Sequence, residues 1–294
     1  MGLLKVRIVV KSKVSKIVFH PSQVLPISWH ASLHSGETGV DRRLSAITLD
    51  SIPRLRSFTN DTVLDVLFYT SPVFCQTIID TVCAELNRIY KLFISRTPSF
   101  NGRVSLGGHS LGSVILYDLL CHQTLEGVDE LKSYVEGSAG TGQGAVRYPS
   151  LAFRPAALYA LGSPIAMFEC IRGVKSLGDN FKLPTCQNFF NIFHPYDPIA
   201  YSLNGGRRVD YVLQETPLEM INEYLFAMSS HVCYWESEDT MLLILREIYD
   251  SLGVAPDSTV PQQSLTVQRQ RPTKSNETYV VNTSEYPSTS RDGT

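Results

Sequence analysis

The sequence predicts an α/β fold: a mostly parallel sheet flanked by helices. Three observations carry that reading. An apolar strand, "RVSLGG" (103–108), runs through a glycine-flanked polar corner straight into an apolar helix, "SVILYDLLCHQ" (113–123). Two further runs, "AALYALGSP" (156–164) and "FFNIFHPYDP" (189–198), read as buried strands that end in Gly, Pro and Asp. Segments with helical spacing precede and follow these strands.

The elements follow in chain order. "KIVFHPSQVLPISW" (16–29) alternates and is rich in β-branched residues, so one or two strands are expected there. "ASLHSGETGVDRR" is loop. From Pro72 the pattern turns helical, with Cys75, Ile78, Ile79, Val82, Cys83, Leu86, Ile89, Tyr90 and Phe93 on one face. Ser71-Pro72 is a suitable start, because Pro fits the first helical turn. This long amphipathic helix should lie against a sheet. "EGSAGTGQGAV" (136–146) reads as an exposed insertion; it lacks the Gly-Lys-Ser/Thr ending of a phosphate-cradling loop. "RRVDYVLQ" (207–214) alternates, and 217–231 has helical spacing through Met220, Tyr224, Leu225 and Met228. "SEDTMLLILREIYDSLG" (237–253) reads as a helix with Ser237 as N-cap, acids in its first turn and Gly253 after its end.

Composition excludes some function classes. Of 294 residues, 43% are hydrophobic and the net charge is −2, so a large core is available and nothing draws the chain to nucleic acid. The first 36 residues carry Lys5, Arg7, Lys11, Lys13 and Lys16 and no acid. A solvated strand or frayed end explains that run, and weak attraction to anionic lipid is the sharper alternative. Six cysteines form no C-x-x-C pair, and several sit in apolar runs as buried thiols do, which suggests a reducing compartment. The sequons at Asn60, Asn276 and Asn282 are then coincidental. No run of about 18 apolar residues is present to span a membrane, and the start does not read as a signal peptide.

Gly108-His109-Ser110-Leu111-Gly112 fits G-x-S-x-G. A strand that turns sharply into a helix holds its middle residue in a strained conformation with the side chain projecting, and the flanking residues must be small. Ser110 is therefore the expected nucleophile. The Leu111 N–H at the helix start is the expected first oxyanion donor. A serine hydroxyl needs a base, and the base an orienting acid; in this fold class they follow in the order Ser, acid, His. Three histidines follow Ser110. His122 is too near in sequence to swing back, and His194 reads as a partner of nearby backbone. His231, late in the chain, is the expected base. Asp197, at the carboxyl end of an apolar strand, is the expected acid, with a turn-forming Asx residue as the plain alternative. Asp179 reads as solvated loop.

With these residues assembled, the chain resembles the DDHD-domain family. The resemblance covers about residues 16–252 and rests on "SFTNDTVLDVLFYTSPVFCQTIIDTV", "GGHSLGSVILYDLL", "ALGSPIAMF", "NIFHPYDPIAY", "GRRVDYVLQE" and "HVCYWESEDT". It implies an α/β-hydrolase-like lipase domain over 16–253, after an atypical segment 1–15 and before a disordered Ser/Thr/Pro/Gln-rich tail, 254–294. It also implies phospholipase A1-type hydrolysis of phosphatidic acid and related lipids, with a relative in vesicle trafficking and triacylglycerol within the family's range. The expected partner is a phospholipid at the surface of an organelle membrane facing the cytoplasm; a homo-oligomer is allowed. The four residues that name the family map onto Asp197, Asp210, His231 and Asp239. A serine triad needs no metal, so no cofactor is expected. A divalent ion held by those four residues, and with it a metal phosphoesterase, is the alternative. Asp210 and Asp239 can instead be residues that hold His231 or its loop, with Asp210 paired to Arg207 or Arg208 and Asp239 complementing a helix dipole. One departure stands out. Family members carry an earlier strand ending in a His-Gly turn that supplies a second oxyanion donor, and no such pair precedes Gly107-Gly108 here. The first strands of the fold are thus expected to be missing from this stretch, which leaves a lipid-binding module without turnover as a competing reading.

Overall fold

The computed structural model describes residues 6–11, 23–28, 46–49, 51, 65–124, 146–174, 177, 181–203, 209–213, 227 and 229–250. They form six strands, five α-helices and a short 3-10 turn. The strands are β1 (Val6–Lys11), β2 (Gln23–Ile27), β3 (Arg103–His109), β4 (Ala157–Leu161), β5 (Asn188–Phe193) and β6 (Asp210–Val212). The helices are α1 (Asp65–Thr70), α2 (Pro72–Arg96), α3 (Leu111–Cys121), α4 (Ile165–Ile171) and α5 (Glu238–Asp250), with the 3-10 turn at Cys233–Trp235.

One sheet holds all six strands in the order β2-β1-β3-β4-β5-β6. From β3 to β6 the pairing is parallel, so the expected α/β architecture is present as a four-stranded parallel sheet flanked by helices. β4 shows why both faces must be covered. Its five residues are all buried. Leu158 and Ala160 enter one core with Val82, Leu86 and Leu116, while Ala157, Tyr159 and Leu161 enter the other with Ile244 and Ile248 of α5. A strand wet on neither side reads as an unbroken apolar run, as "ALYAL" does.

The amino-terminal side departs from the expectation. β1 lies within the segment that looked atypical, yet it occupies an interior place in the sheet. It pairs antiparallel with β3, Val6 opposite Gly108, and antiparallel with β2, Val6 opposite Ile27. β2 is the edge strand and carries Pro26, which an edge tolerates because one row of its backbone groups needs no partner.

α2 begins with Pro72 in its first turn, as expected. Its buried face holds Cys75, Ile78, Ile79, Val82, Cys83 and Leu86, and it packs on α3 and β2. α3 differs from an ordinary surface helix: all eleven of its residues are buried. Its one charge, Asp118, is held by a bidentate pair with Arg172 (2.7 and 2.6 Å) and by the Tyr69 hydroxyl (2.7 Å). That cluster fastens α1 and the end of α4 to the central helix. Glu169 lies beside it, 3.6 Å from Arg172 and buried. Burial pushes its carboxyl up to about 7, against the pull of Arg172.

α4 ends in Gly173 at φ +84°, with Gly173 N–H donating to Cys170 O and Val174 N–H to Glu169 O, the paired closure that a left-handed residue permits. α5 starts as expected, with the Thr240 N–H donating to Ser237 Oγ at 3.2 Å. All six cysteines are free thiols. The predicted helix over 217–231 lies largely outside the described residues, as do 136–145, Asp179, Arg207, Arg208, the three sequons and the 254–294 tail.

Candidate active site

The carboxyl ends of β3, β4 and β5 carry the candidate residues, the rim where open α/β sheets bind ligands. Ser110 follows β3 directly, at φ +53° and ψ −128°. Among the described residues it is the one non-glycine with positive φ. Its N–H donates to Leu161 O (2.9 Å), which ties the corner to the end of β4. The glycine before the corner is required by space: a Cβ on Gly108 would lie 2.6 Å from Ser113 Cα and 2.7 Å from Gly112 O. The Ser110 carbonyl accepts the Ser113 hydroxyl (2.5 Å), and Ser113 Oγ lies 2.7 Å from Ser163 Oγ, which in turn accepts the Ile165 N–H (3.1 Å). A strained backbone of this kind persists where its surroundings over-determine it, and this chain of hydroxyls does so from behind. Leu111 opens α3, so its N–H belongs to the first-turn donors that have no intrahelical acceptor.

Asp197 stands in the turn after β5, held by its N–H to His194 O (3.1 Å). Its Oδ1 accepts the Ile199 N–H (2.9 Å), so the Asx-turn reading holds as well. The same carboxylate meets His231 Nδ1 at 2.9 and 3.0 Å and accepts the Tyr234 hydroxyl on Oδ2 at 2.6 Å. Burial opposes the charge on this carboxylate, but the hydrogen bond and attraction of His231, with the bonds from Tyr234 and Ile199, outweigh it and hold the pKa below the ordinary value. Tyr234 is pushed well above the ordinary phenol range, first by burial and then by the Asp197 charge, so it donates and does not ionise. Gly162, at φ +54°, makes room for this group: a Cβ there would lie 2.6 Å from Tyr234 Cε2 and 2.8 Å from Asp197 Oδ2.

Asp197 and His231 are thus brought together. Ser110 comes close to them through its neighbour: His109 Nε2 lies 2.6 Å from His231 O, and the two imidazole rings are 4.8 Å apart. The Ser110 hydroxyl is buried and makes no hydrogen bond among the described residues, so the candidate nucleophile is not bonded to His231. In resting sites such bonds are often long and shorten when substrate arrives. His122 is tied locally, donating from Nδ1 to Asp118 O (2.7 Å) and stacked on Tyr148. His194 takes the Tyr196 N–H on Nδ1 at 3.2 Å. On the β1 side of β3, the antiparallel strand brings its start to this rim, at Val6 beside Gly108. The neighbour of β3 there is thus an antiparallel strand, and the residues before Val6 and after Ser28 lie outside the described residues.

The DDHD domain matches this chain over residues 151–204 and 202–249, which include Asp197, Asp210, His231 and Asp239. This chain is a DDHD-domain protein. Similar proteins include mouse triacylglycerol hydrolase DDHD2, 31% identical over 80% of this chain and 62% of that protein. Human SEC23-interacting protein is 28% identical over 83% of this chain and 51% of that protein. The Caenorhabditis elegans intracellular phospholipase A1 is 34% identical over 61% of this chain and 25% of that protein. The chain therefore spans about three fifths or less of the length of these relatives. No solved structure matches it.

The four residues that name the domain do not fit a metal centre here. Among the described residues, no three His, Cys, Asp or Glu side chains gather as an ion would require. Asp210 accepts the Asn191 amide (2.8 Å), the Ser202 hydroxyl (2.7 Å) and the Leu203 N–H (3.1 Å). It thereby clasps the chain that returns from the Asp197 turn, while the suggested pair with Arg207 or Arg208 lies outside the described residues. Asp239 sits in the first turn of α5, where a carboxylate complements the dipole. Sequence reasoning passed over Tyr234 and His109. Tyr234 is three residues past His231, on a 3-10 turn that brings it back over Asp197, and a buried-type aromatic beside the base was the available signal. His109 filled the variable place in G-x-S-x-G, which carries no signal in the motif.

Proposed function

We propose that this DDHD domain is a serine ester hydrolase that cleaves an acyl ester of membrane glycerophospholipids, in the manner of a phospholipase A1. The observation that carries the reading is the Asp197–His231 bond beside a serine held at φ +53°. The names of the relatives, triacylglycerol hydrolase and phospholipase A1, support a lipid ester as the substrate class. Ser110 Oγ attacks the ester carbonyl as its proton passes to His231 Nε2. The developing oxyanion is met by the Leu111 N–H. Collapse of the tetrahedral intermediate breaks the acyl–oxygen bond, and His231 returns the proton to the leaving glycerol alkoxide. Water, deprotonated by His231, then releases the fatty acid and restores Ser110. Asp197 holds the Nδ1–H tautomer throughout, and Tyr234 fixes the carboxylate.

The test uses vesicles of phosphatidic acid or phosphatidylcholine, with fatty-acid release and fluorophosphonate labelling as readouts. Ser110→Ala is expected to abolish both while the protein stays folded; retained hydrolysis in that variant removes Ser110 from the mechanism. A second reading, a lipid-binding module without turnover, draws on the antiparallel β1 beside the elbow. An unlabelled wild-type chain that still binds vesicles would select it.

A further inference from the structure

The residue before the candidate nucleophile makes a short contact to the candidate base. His109 is buried, and its Nε2 lies 2.6 Å from the backbone oxygen of His231. A carbonyl oxygen can only accept, so Nε2 carries the proton and donates. The His109 ring lies against the His231 ring at 4.8 Å and 37°, and 5.7 Å from that of Tyr234.

This contact has a particular mechanical meaning. The Asp197 carboxylate fixes the ring of His231 through Nδ1, but a ring can pivot only about wherever its backbone stands. On the carboxyl side, that backbone is held by local turns, Val232 N–H to Ser229 O (3.1 Å) and Cys233 Sγ to Ser230 O (3.1 Å). Those two bonds shape the turn, and three residues on, the Tyr234 hydroxyl accepts the His194 N–H (2.9 Å) just after β5, a tie to the sheet at a distance from residue 231 itself. His109 is the last residue of β3, which is paired on both sides. Its side chain therefore gives the base a direct anchor to the sheet, at the residue that precedes Ser110.

We infer that His109 is a positioning residue: its Nε2–H tethers the His231 carbonyl so that base and nucleophile are placed from one strand end. The inference rests on the hydrolase reading above. It predicts that the donor matters, and that reach matters as much as chemistry. Gln keeps an N–H at about the distance of Nε2; Asn keeps the same amide one carbon short; Phe keeps the ring and loses the donor.

The experiment compares wild-type, H109Q, H109N and H109F full chains. It measures the rate of fluorophosphonate labelling at Ser110, located by peptide mass spectrometry, together with thermal unfolding. H109F and H109N are expected to label about 10- to 100-fold more slowly, the scale on which a misplacement near 1 Å acts. H109Q is expected to recover most of the wild-type rate. If H109F does not fold, the Gln–Asn pair alone decides. Equal labelling rates for Gln and Asn at matched melting temperatures would overturn the tether, as would an H109F rate within twofold of wild type. Failure of the hydrolase reading looks different: wild type itself would not label at Ser110.

Discussion

Replacing Gly162 by alanine tests how tightly the end of β4 supports the candidate acid. The new methyl would stand 2.6 Å from Tyr234 Cε2 and 2.8 Å from Asp197 Oδ2, at a φ of +54°. Two costs combine. A Cβ in the left-handed region costs about 1–2 kcal/mol, and overpacking a filled site costs about 1–3 kcal/mol. Gly173→Ala isolates the first, because its φ is +84° and nothing lies within 4 Å of the place its methyl would take. Gly162→Ala should therefore be less stable than Gly173→Ala by the crowding alone, about 1–3 kcal/mol. At about 2–4 °C per kcal/mol for a domain of 150–250 residues, that is a melting temperature lower by roughly 2–12 °C. The two variants should also part in activity. Moving Tyr234 or Asp197 displaces His231, so labelling of Ser110 slows in Gly162→Ala and not in Gly173→Ala. Thermal scanning with urea titration gives the stability difference, and probe labelling gives the rate. Equal melting temperatures and equal rates for the two variants would refute the close packing of Gly162 on the acid.

Other outcomes follow from the same geometry. Tyr234→Phe removes a donor to a buried carboxylate and should cost about 1.5–3 kcal/mol in urea unfolding, with slower Ser110 labelling; an unchanged variant would mean that the 2.6 Å bond holds nothing. Arg172→Met strands Asp118 in the core and should cost about 3–5 kcal/mol, whereas the double variant with Asp118→Leu should recover most of it. Glu169, pushed up to about 7, binds its proton more readily folded than unfolded, so its contribution is full below about pH 4.5 and is lost as pH rises through about 7. Glu169→Gln should accordingly stabilise the protein at pH 8, by an amount on the order of 1–3 kcal/mol, and change little at pH 4.5. The same shift in melting temperature at both pH values would count against that assignment.

Much of the sheet was legible because its strands are dry on both faces. "ALYAL" and the "RVSLGG" corner leave few alternatives once their flanking turns are read. The contact between Asp197 and His231 was anticipated from a carboxylate directly after an apolar strand and a histidine late in the chain. The interior place of β1 was not legible. Six residues, VRIVVK, fit an edge, a hairpin or a sheet centre equally well, and only tertiary pairing chooses among them. Asp210 was read through Arg207 and Arg208, which lie outside the described residues, and its bonds to Asn191, Ser202 and Leu203 went unforeseen. Contacts made by folding back across a turn leave no mark in local spacing. His109 and Gly162 are cases of the same limit, since each is defined by what lies opposite it.

The buried state of every residue in α3 has a consequence for how this stretch tolerates change. Along α2, tolerance to polar replacement should rise and fall every three to four positions, because one side of that helix meets solvent. Along 111–121 no such wave can exist. Each site there would admit only what fits its cavity, so a saturation scan should trace a flat floor through the span that follows Ser110.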